Sequence, residues 1–509
     1  MSMLGVGIGF DTRGAGQHGV QKPYYVASQW VIPDSREGWV ESVRMQLAGF
    51  FYGETLPRFD YSRIRPKGSI IRGFGGIAAG PEPLIKLHQA LETLLTTYIG
   101  RRFDSTMIVD VNNLIGRCVV SGNVRRSAEI ALGDPDDILF TRLKTDFDKV
   151  AEYRYISNNS VIVGPDSDYQ RLGALTAAYG EPGYFWRENA RLFGRMNGIQ
   201  NASDYNADGT NPCVEQTLWN LELCNVVETF INRHKSLHQY MRTLKMAYRY
   251  AKVVSLVKTG IPETDKIIER NRRIGCSMSG VARAFNRMGT AQVFDWSDKG
   301  YDYLTGLDAD YSCWLGINRS IKRTSIKPSG TVPLLPGETP ALNFPESEFY
   351  HRTIRVSVND PILVDLDRAK YRIEPNQYGA DGGGETMVVY IPVQEPEFVR
   401  AKNDVSMWEQ LEHVVGMQRY WADNQVSCTI TFDQKEAEDI PRALELYQDK
   451  LKAVAFLPKK QDIYPQAPIQ PISPSEYATS LASLKPLVIT GQKDAVAVGG
   501  CDGGSCSVL

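Results

Sequence analysis

The sequence predicts an α/β fold with parallel strands, because helix patterns and strand patterns alternate along the chain. Leucines recur at helical spacing over 84–98, directly after Pro81 and Pro83, and prolines are frequent at the start of a helix. The segment 406–422 opens with Ser and Glu in capping-box spacing and continues with apolar residues at helical spacing. Apolar and polar residues then alternate over 426–432, as in a half-buried strand. Helix followed by strand, repeated in this way, favours the α/β class. Further predicted strands are 4–10, 118–124, 128–132 and 387–393.

Length and composition indicate a globular protein with a large core. The chain has 509 residues, of which 42% are hydrophobic and 23% charged, and this allows one large domain or two to three ordinary ones. The net charge is −2, from 57 basic and 59 acidic residues, which does not suggest a nucleic-acid-binding protein. The first ten residues lack a basic lead-in, and no apolar run is long enough to cross a bilayer. We therefore expect neither nucleic acid nor a membrane as partner, and a cytoplasmic location.

The eight cysteines are too few for a disulfide scaffold in a chain of this length. We expect a reducing compartment, in which any disulfide is transient and catalytic. A small buried apolar side chain is the favoured interpretation for Cys276, Cys313, Cys428 and, with its role left open, Cys118.

The segment from Asn211 to Glu215 is the most informative part of the chain. It places a thiol, Cys213, between an amide and a carboxylate at alternate positions, and a further thiol, Cys224, follows. In an extended segment these three side chains would lie on one face at intervals of roughly 6 to 7 Å. Packing gives no reason for this combination, so the segment predicts a reactive site.

A second thiol pair, Cys501 and Cys506, lies in a Gly-rich run near the carboxyl end. Glycine makes such a segment flexible, so a mobile redox-active tail is expected. Four intervening residues and the lack of a third ligand nearby argue against a structural zinc site, and we predict no metal.

Two loops have the composition of phosphate-binding segments. Lys327 to Val332 offers two hydroxyls and a glycine backbone, which can present several donors to an oxyanion. Gly73 to Gly80 is glycine-dense but matches no nucleotide-binding fingerprint. Taken alone, a plain turn explains either loop equally well.

Together, these motifs resemble one known family. The segments 121–129, 211–225 and 327–340 and the cysteine-bearing tail are similar to those of the adenosylcobalamin-dependent, class II ribonucleotide reductases, and most similar to the monomeric ribonucleoside-triphosphate reductase type. The resemblance runs from Met1 to Leu509 in the same order.

The resemblance implies a ten-stranded α/β barrel with two parallel five-stranded halves and a central finger loop near 211–225. It implies a catalytic barrel over 1–465, a linker over 466–490 and a flexible redox tail over 491–509. The segments 64–68 and 73–80 resemble the region that binds a nucleotide effector in the family.

The resemblance also implies roles for single residues. Cys213 matches the thiyl-radical residue, Glu215 the general base and Asn211 the substrate-orienting amide. Cys224 matches one member of the dithiol that reduces the substrate, and Cys501 and Cys506 match the tail pair that reopens its disulfide with a thioredoxin-like reductant. The implied cofactor is adenosylcobalamin, although the Asp-x-His-x-x-Gly signature of base-off cobalamin binding is absent. The substrate's phosphates are expected at Pro328, Ser329, Gly330 and Thr331.

The sequence departs from the family in one respect. The partner thiol of Cys224 is expected on a first barrel strand, upstream of the segment that residues 1–7 resemble. Cys118 does not replace it, because it precedes the 121–129 motif on what should be a later strand. We therefore expect a split enzyme, in which a second polypeptide supplies the missing first strand and its cysteine.

Two other functions stay open on sequence grounds. One is a reductase with a different radical source, such as a separate di-metal subunit, although no paired-tyrosine relay is evident near Tyr350. The other is an inactive nucleotide-binding remnant, although the six chemistry-bearing residues of the two thiol groups are all retained.

Overall fold

A computed structural model describes residues 1–71, 78–121, 127–358, 360–377, 386–459 and 466–490. The strands, numbered in chain order, are β1 (Ile8–Asp11), β2 (Tyr24–Val31), β3 (Thr55–Asp60), β4 (Glu129–Gly133), β5 (Ser157–Ile162), β6 (Gly183–Phe185), β7 (Gly209–Thr210), β8 (Thr217–Leu218), β9 (Val226–Phe230), β10 (Gly275–Ser279), β11 (Phe349–Ser357), β12 (Arg372–Pro375), β13 (Thr386–Gln394), β14 (Thr429–Phe432), β15 (Ala453–Pro458) and β16 (Ile469–Pro471).

The helices are α1 (Arg36–Tyr52), α2 (Glu82–Thr96), α3 (Ser105–Val120), α4 (Ile138–Thr141), α5 (Phe147–Glu152), α6 (Tyr169–Tyr179), α7 (Arg187–Leu192), α8 (Leu237–Val254), α9 (Pro262–Asn271), α10 (Val281–Met288), α11 (Thr290–Leu315), α12 (Ile362–Arg368), α13 (Met407–Tyr420), α14 (Ile440–Tyr447) and α15 (Pro474–Ser483). The predicted helices over 84–98 and 406–422 correspond to α2 and α13. The hydroxyl of Ser406 caps α13 by accepting the Glu409 N–H at 3.1 Å.

The largest sheet contains six strands in the order β1-β4-β5-β6-β15-β14. All neighbours in it are parallel except β6 and β15, which pair antiparallel. Two isolated parallel bridges extend this order. Val426, in the β14 segment (residues 426–432), pairs with Ile326, and Thr324 pairs with Cys276 of β10. Strand β10 then pairs parallel with β9.

This order is consistent with a barrel of two parallel halves joined antiparallel, and the strands of both halves are called the barrel strands below. One half contains β1, β4, β5 and β6, and the other contains β15, the β14 segment, residues 324–326, β10 and β9. The predicted α/β class with parallel strands is confirmed. Within the described residues β1 pairs only with β4 and β9 only with β10, so both ends of the order keep one free edge.

One predicted strand is wrong. Residues 118–120 form the last turn of α3, and residues 122–126 lie outside the described part of the chain. Asp104 caps α3 by accepting the Met107 N–H at 2.9 Å, and the buried residues Met107, Val111, Leu114 and Cys118 follow at helical spacing. The short apolar run at the end of this helix therefore has a strand-like composition without being a strand.

Two apolar cores hold the chain together. The larger core lies among the barrel strands and helices such as α8, α11 and α13, and includes Trp421 and Tyr240. A separate core joins α1, α2 and α3 in the first 120 residues, and includes Phe50 and Leu91. No helix in the described residues is long and apolar enough to cross a membrane.

A second, antiparallel sheet with the order β12-β13-β11-β16 is separate from the barrel strands. The segment 466–490, predicted as a linker, contributes β16 to this sheet and continues into α15. The predicted tail over 491–509, with Cys501 and Cys506, lies outside the described residues, as does most of the glycine-dense loop at 73–80.

Candidate active site

Strands β7 and β8 form a short antiparallel hairpin whose tip carries the predicted site. The expectation of an extended segment is wrong. Asn211 accepts the Val214 N–H on its carbonyl at 2.9 Å and the Gln216 N–H on its Oδ1 at 3.0 Å, and Val214 has a φ of 62°. An asparagine side chain that bonds the backbone favours such turns over a strand. A turn, rather than side-chain alternation, therefore places Cys213 beside Glu215, and the Asn211 Nδ2 group stays available as a donor.

The hairpin lies very close to β1. A Cβ atom at Gly9 would lie 2.0 Å from the Thr210 carbonyl oxygen, and one at Gly7 would lie 2.6 Å from Pro212 Cγ. Side chains at either glycine would collide with the hairpin, so glycine is required for this close approach. Strand β1 therefore sets the position of the tip.

Three hydrogen bonds from the barrel hold the backbone of the tip. The Ser427 hydroxyl donates to the Cys213 carbonyl, and the Asn158 amide donates to the Pro212 carbonyl at 3.2 Å. The backbone N–H of Gln425 donates to the Glu215 carbonyl at 3.1 Å. Successive carbonyls of the tip are thus fixed from β5 and from the segment before β14.

The Glu215 side chain is fully buried and has one polar partner. Lys327 Nζ lies 3.2 Å from Glu215 Oε1. Glu215 Oε2 has no hydrogen-bond partner among the described residues. A buried oxygen without a partner is costly, and it is typical of a functional site that a ligand completes.

The two thiols are held in the protonated form. Burial and the charge of Glu215 raise the pKa of the Cys213 thiol above its usual range. Cys224 is accessible to solvent, yet the surrounding protein desolvates it, and this together with the Glu215 charge raises its pKa to about 11. Both pKa values respond to Glu215 and Lys327, which indicates that the four side chains share one site.

A buried ionic cluster supports the loop between β8 and Cys224. Arg273 pairs with Asp204 at 2.7 Å and with Glu222 at 3.0 Å, and all three side chains are fully buried. Glu222 also accepts the Trp219 N–H at 2.8 Å, and Lys322 lies 3.1 Å from Asp204. The loop that ends at Cys224 is therefore fixed to the barrel strands by ion pairs, and breaking one of these pairs would leave a buried charge uncompensated.

The predicted phosphate loop lies beside this site. Pro328 lines a cavity of about 300 Å³ together with Cys213, while Ser329 is buried and Thr331 is exposed. The Gly330 carbonyl accepts a hydrogen bond from Arg352 of β11 at 2.7 Å.

Glu228 of β9 lies under the same loop. Its carboxyl group accepts the Ser279 hydroxyl and bonds Ser329, and burial raises its pKa. The loop is therefore anchored both to the parallel barrel, through Ser329, and to the antiparallel sheet, through Arg352.

A larger cavity of about 500 Å³ adjoins the first one. Its lining includes Phe344, Tyr350 and His413, and it shares Cys428, Thr429 and Leu457 with the cavity beside Cys213. The two cavities therefore adjoin at β14 and β15.

The other cysteines have mixed outcomes. Cys276 is fully buried, as predicted, and Cys118 is buried in the core of the first 120 residues. Cys313 is exposed on α11, so its predicted burial is wrong. Cys428 is only half-buried because it lines both cavities, and burial still raises its thiol pKa to about 12.

Three residues of the site carried no role in the sequence interpretation. Lys327 directly precedes the predicted phosphate loop, and this position was the only feature of the sequence that indicated a role for it. Asn158 and Ser427 lie 54 and 214 residues from their partners in the tip, so no local pattern could reveal them.

The chain is similar to known reductases over most of its length. Residues 15–95 match the family described as B12-dependent ribonucleotide reductase, insertion domain. The chain is 44% identical to a probable adenosylcobalamin-dependent ribonucleoside-triphosphate reductase of Dictyostelium discoideum, with 96% of this chain and 67% of the relative covered. It is 42% identical to the adenosylcobalamin-dependent ribonucleoside-triphosphate reductase of Euglena gracilis, with 97% and 68% covered.

A solved structure agrees with these relatives. The crystal structure of a B12-dependent (class II) ribonucleotide reductase matches with a TM-score of 0.81 at 31% identity, covering 95% of this chain and 76% of that one. Fold and site thus define an oxidoreductase of the ribonucleotide reductase class. The chain belongs to the adenosylcobalamin-dependent ribonucleoside-triphosphate reductases, and it spans about two thirds of the length of its curated relatives.

Proposed function

We propose that this chain reduces ribonucleoside triphosphates to 2′-deoxyribonucleotides by radical chemistry at Cys213. One observation carries the proposal: the hairpin tip places a protonated thiol at the edge of a cavity and, two residues further on, a buried carboxylate with one oxygen that has no partner among the described residues. A hydrogen-atom transfer needs an S–H bond, so a raised thiol pKa suits Cys213 and Cys224.

The cavities are compatible with adenosylcobalamin, the cofactor named for the relatives. The lining of the 500 Å³ cavity combines apolar and aromatic side chains with charged ones such as Glu346 and Lys402, and the cavity adjoins the one beside Cys213. Phe344, Tyr350 and His413 would hold part of the cofactor there. When bound, the cofactor supplies the one-electron step that removes the hydrogen atom from Cys213.

The residues of the chain then carry out the reaction on the sugar. The Cys213 sulfur radical takes the 3′ hydrogen atom, and Glu215 Oε2 accepts the proton of the 3′ hydroxyl while the 2′ hydroxyl takes a proton from the dithiol of Cys224 and its partner and leaves as water. Asn211 Nδ2 donates a hydrogen bond that orients the ribose. Cys224 and a partner thiol provide two electrons and two hydrogens by closing a disulfide, one hydrogen leaving in the water and the other going to the 2′ carbon. Glu215 returns its proton to the 3′ oxygen, and Cys213 returns the 3′ hydrogen atom to the sugar, which re-forms its sulfur radical.

The triphosphate is proposed to lie at Pro328 to Thr331. The backbone of Gly330 has no Cβ to obstruct a phosphate, and the hydroxyls of Ser329 and Thr331 are donors for its oxygens. Ser329 would exchange its bond to Glu228 for one to the substrate.

A set of single substitutions tests the proposal. Cys213→Ser and Cys224→Ser should each abolish formation of deoxynucleotide from a ribonucleoside triphosphate in the presence of adenosylcobalamin and a dithiol, and Glu215→Gln should slow it by about 100-fold or more. Cys313→Ser, at an exposed position on α11, is the matched control and should keep native activity. Full activity of Cys213→Ser would refute the proposal and revive an inactive remnant as the alternative.

The radical source is tested separately. Turnover that depends only on added adenosylcobalamin supports the proposal, whereas turnover that requires a di-metal subunit supports the other radical source. The comparisons give no support to either alternative function.

The remaining partners stay predictions. The free edges of β1 and β9 are compatible with a further strand, which we predict on a second polypeptide together with the partner thiol of Cys224. Cys501 and Cys506, a thioredoxin-like reductant, a nucleotide effector and a cytoplasmic location are likewise predictions. Full turnover of the purified chain with cofactor, triphosphate and dithiol alone would refute the second polypeptide.

A further inference from the structure

The ion pair between Lys327 and Glu215 joins the phosphate loop to the hairpin tip. Lys327 Nζ lies 3.2 Å from Oε1 of the fully buried carboxylate, and Oε2 of the same group has no partner in the described part of the chain. The side chain of Lys327 is 36% exposed, so its ammonium group keeps some hydration while it contacts a buried charge.

The backbone fixes where this lysine can reach. Its N–H donates to the Ser277 hydroxyl of β10 at 2.9 Å, and Ile326, one residue earlier, bridges to Val426 of the neighbouring strand. Lys327 therefore starts from the ordered barrel wall, although the loop that follows it is irregular.

A buried carboxylate without a cation would take up a proton, because burial disfavours the charged form. A protonated Glu215 could not accept the proton of a substrate hydroxyl. Burial alone would lower the pKa of Lys327, but the charge of Glu215 outweighs it and the pKa is raised, so the lysine stays charged. The cation is thus present over the whole pH range in which the carboxylate must act.

We propose that Lys327 is a positioning residue, which keeps Glu215 ionised and binds one of its oxygens so that the other faces the substrate. The proposal rests on the proposed function of Glu215 as the base. The other titratable groups that face this pair are Cys213 on the hairpin, Cys224 on the loop before β9, and Glu228 on β9. A role of Lys327 in binding a phosphate of the substrate is the competing interpretation, since the lysine adjoins that loop.

The pH dependence of turnover separates the two roles. In Lys327→Met the acid limb of kcat should move to higher pH, because the buried carboxylate loses the opposite charge that favours its ionised form. At the acid end kcat should fall about ten-fold, while KM for the triphosphate changes less than about three-fold. Lys327→Arg, which keeps the charge, should restore the native limb.

A double-mutant cycle tests whether Lys327 acts through Glu215. Adding Lys327→Met to Glu215→Gln should change kcat by less than about two-fold, because no carboxylate is left to hold. An equal loss in both backgrounds, or a rise in KM without a moved pH limb, would overturn the proposal in favour of phosphate binding.

Thiol alkylation reports on the same charge without any turnover. In the chain without nucleotide or cofactor, Lys327→Met should slow iodoacetamide labelling of Cys213 and Cys224 at pH 8.5 about two- to three-fold, since the lysine charge lowers both thiol pKa values. Labelling is followed for each peptide by mass spectrometry, with Cys313 as the internal control. Unchanged labelling would overturn the placement of Lys327, whereas native turnover of Glu215→Gln would overturn the proposed base and leave the labelling result standing.

Discussion

Burial and the charge of Glu215 keep the two thiols of the site protonated. Burial is the larger cause of the raised pKa values of Cys213 and Cys224, and the Glu215 charge acts in the same direction. Because a raised pKa leaves less thiolate at a given pH, both thiols are protected from alkylation and oxidation in the resting protein.

Removing that charge should expose the thiols to alkylation. In Glu215→Gln we expect both thiol pKa values to fall, so that iodoacetamide labelling of Cys213 and Cys224 at pH 8.5 becomes about three-fold faster per pKa unit. Mass spectrometry of the labelled peptides measures this. Cys313 should label at an unchanged rate, and equal rates in both proteins would contradict the shared electrostatic site.

Ser427 should affect the rate of reaction more than substrate binding. Its hydroxyl fixes the Cys213 carbonyl, and a single hydrogen bond is worth about 1 kcal/mol, which corresponds to a loss of about five-fold in rate. We expect Ser427→Ala to lower kcat by about five-fold with little change in KM. Ser427→Thr should restore the rate, and a native kcat in the alanine variant would count against a fixed tip.

At the scale of elements, the hairpin and β1 depend on each other. Gly9→Ala would place a methyl group 2.0 Å from the Thr210 carbonyl oxygen, and backbone must move to relieve this contact. We expect a loss of about 1 to 3 kcal/mol in unfolding free energy and a lower kcat, measured by urea titration and turnover.

Gly306 provides the matched control for that change. It lies inside α11 with no atom within 4 Å of an added Cβ. Gly306→Ala should leave turnover unchanged and raise stability by up to about 1 kcal/mol, because alanine favours a helix. If Gly9→Ala behaved in the same way, the close approach of β1 to the hairpin would be disproved.

The sequence predicts elements well where one local pattern suffices. Helix α13 and the strand segment after it were recognisable because capping residues, apolar spacing and alternation agree. The strand predicted at 118–124 failed because a short apolar run at a helix end resembles a strand. Asn211, Cys213 and Glu215 suggest the proposed chemistry of the tip from sequence alone, whereas its turn depends on the Asn211 side chain and its supports come from distant segments.

At the scale of the whole molecule, a buried ion pair connects the two apolar cores. Arg154, just before β5, binds Asp110 of α3 through two hydrogen bonds of 2.7 and 2.8 Å, and both side chains are less than a tenth exposed. Helix α3 belongs to the core of the first 120 residues, while β5 belongs to the barrel ladder. The pair therefore links helix α3 to the segment that enters β5.

Breaking this pair should destabilise the chain strongly. Arg154→Met would leave the Asp110 carboxylate buried without its cation, and such a loss costs about 3 to 5 kcal/mol. Urea or thermal unfolding measures it. Lys299→Met removes an exposed pair with Asp295 on α11 and should change stability by less than about 1 kcal/mol. Equal stability of the two variants would show that the cores are joined by other contacts.

The bond from Arg352 to the Gly330 carbonyl connects the outer antiparallel sheet to the phosphate loop. Strand β11, which carries Arg352, is held between β13 and β16, so it cannot follow the loop without moving its neighbours. A nucleotide that orders the loop would therefore also restrict the motion of this sheet. Conversely, a molecule that restricts the sheet would lower the entropic cost of ordering the loop when the nucleotide binds. Thermodynamic reciprocity then requires each ligand to tighten the binding of the other by the same factor.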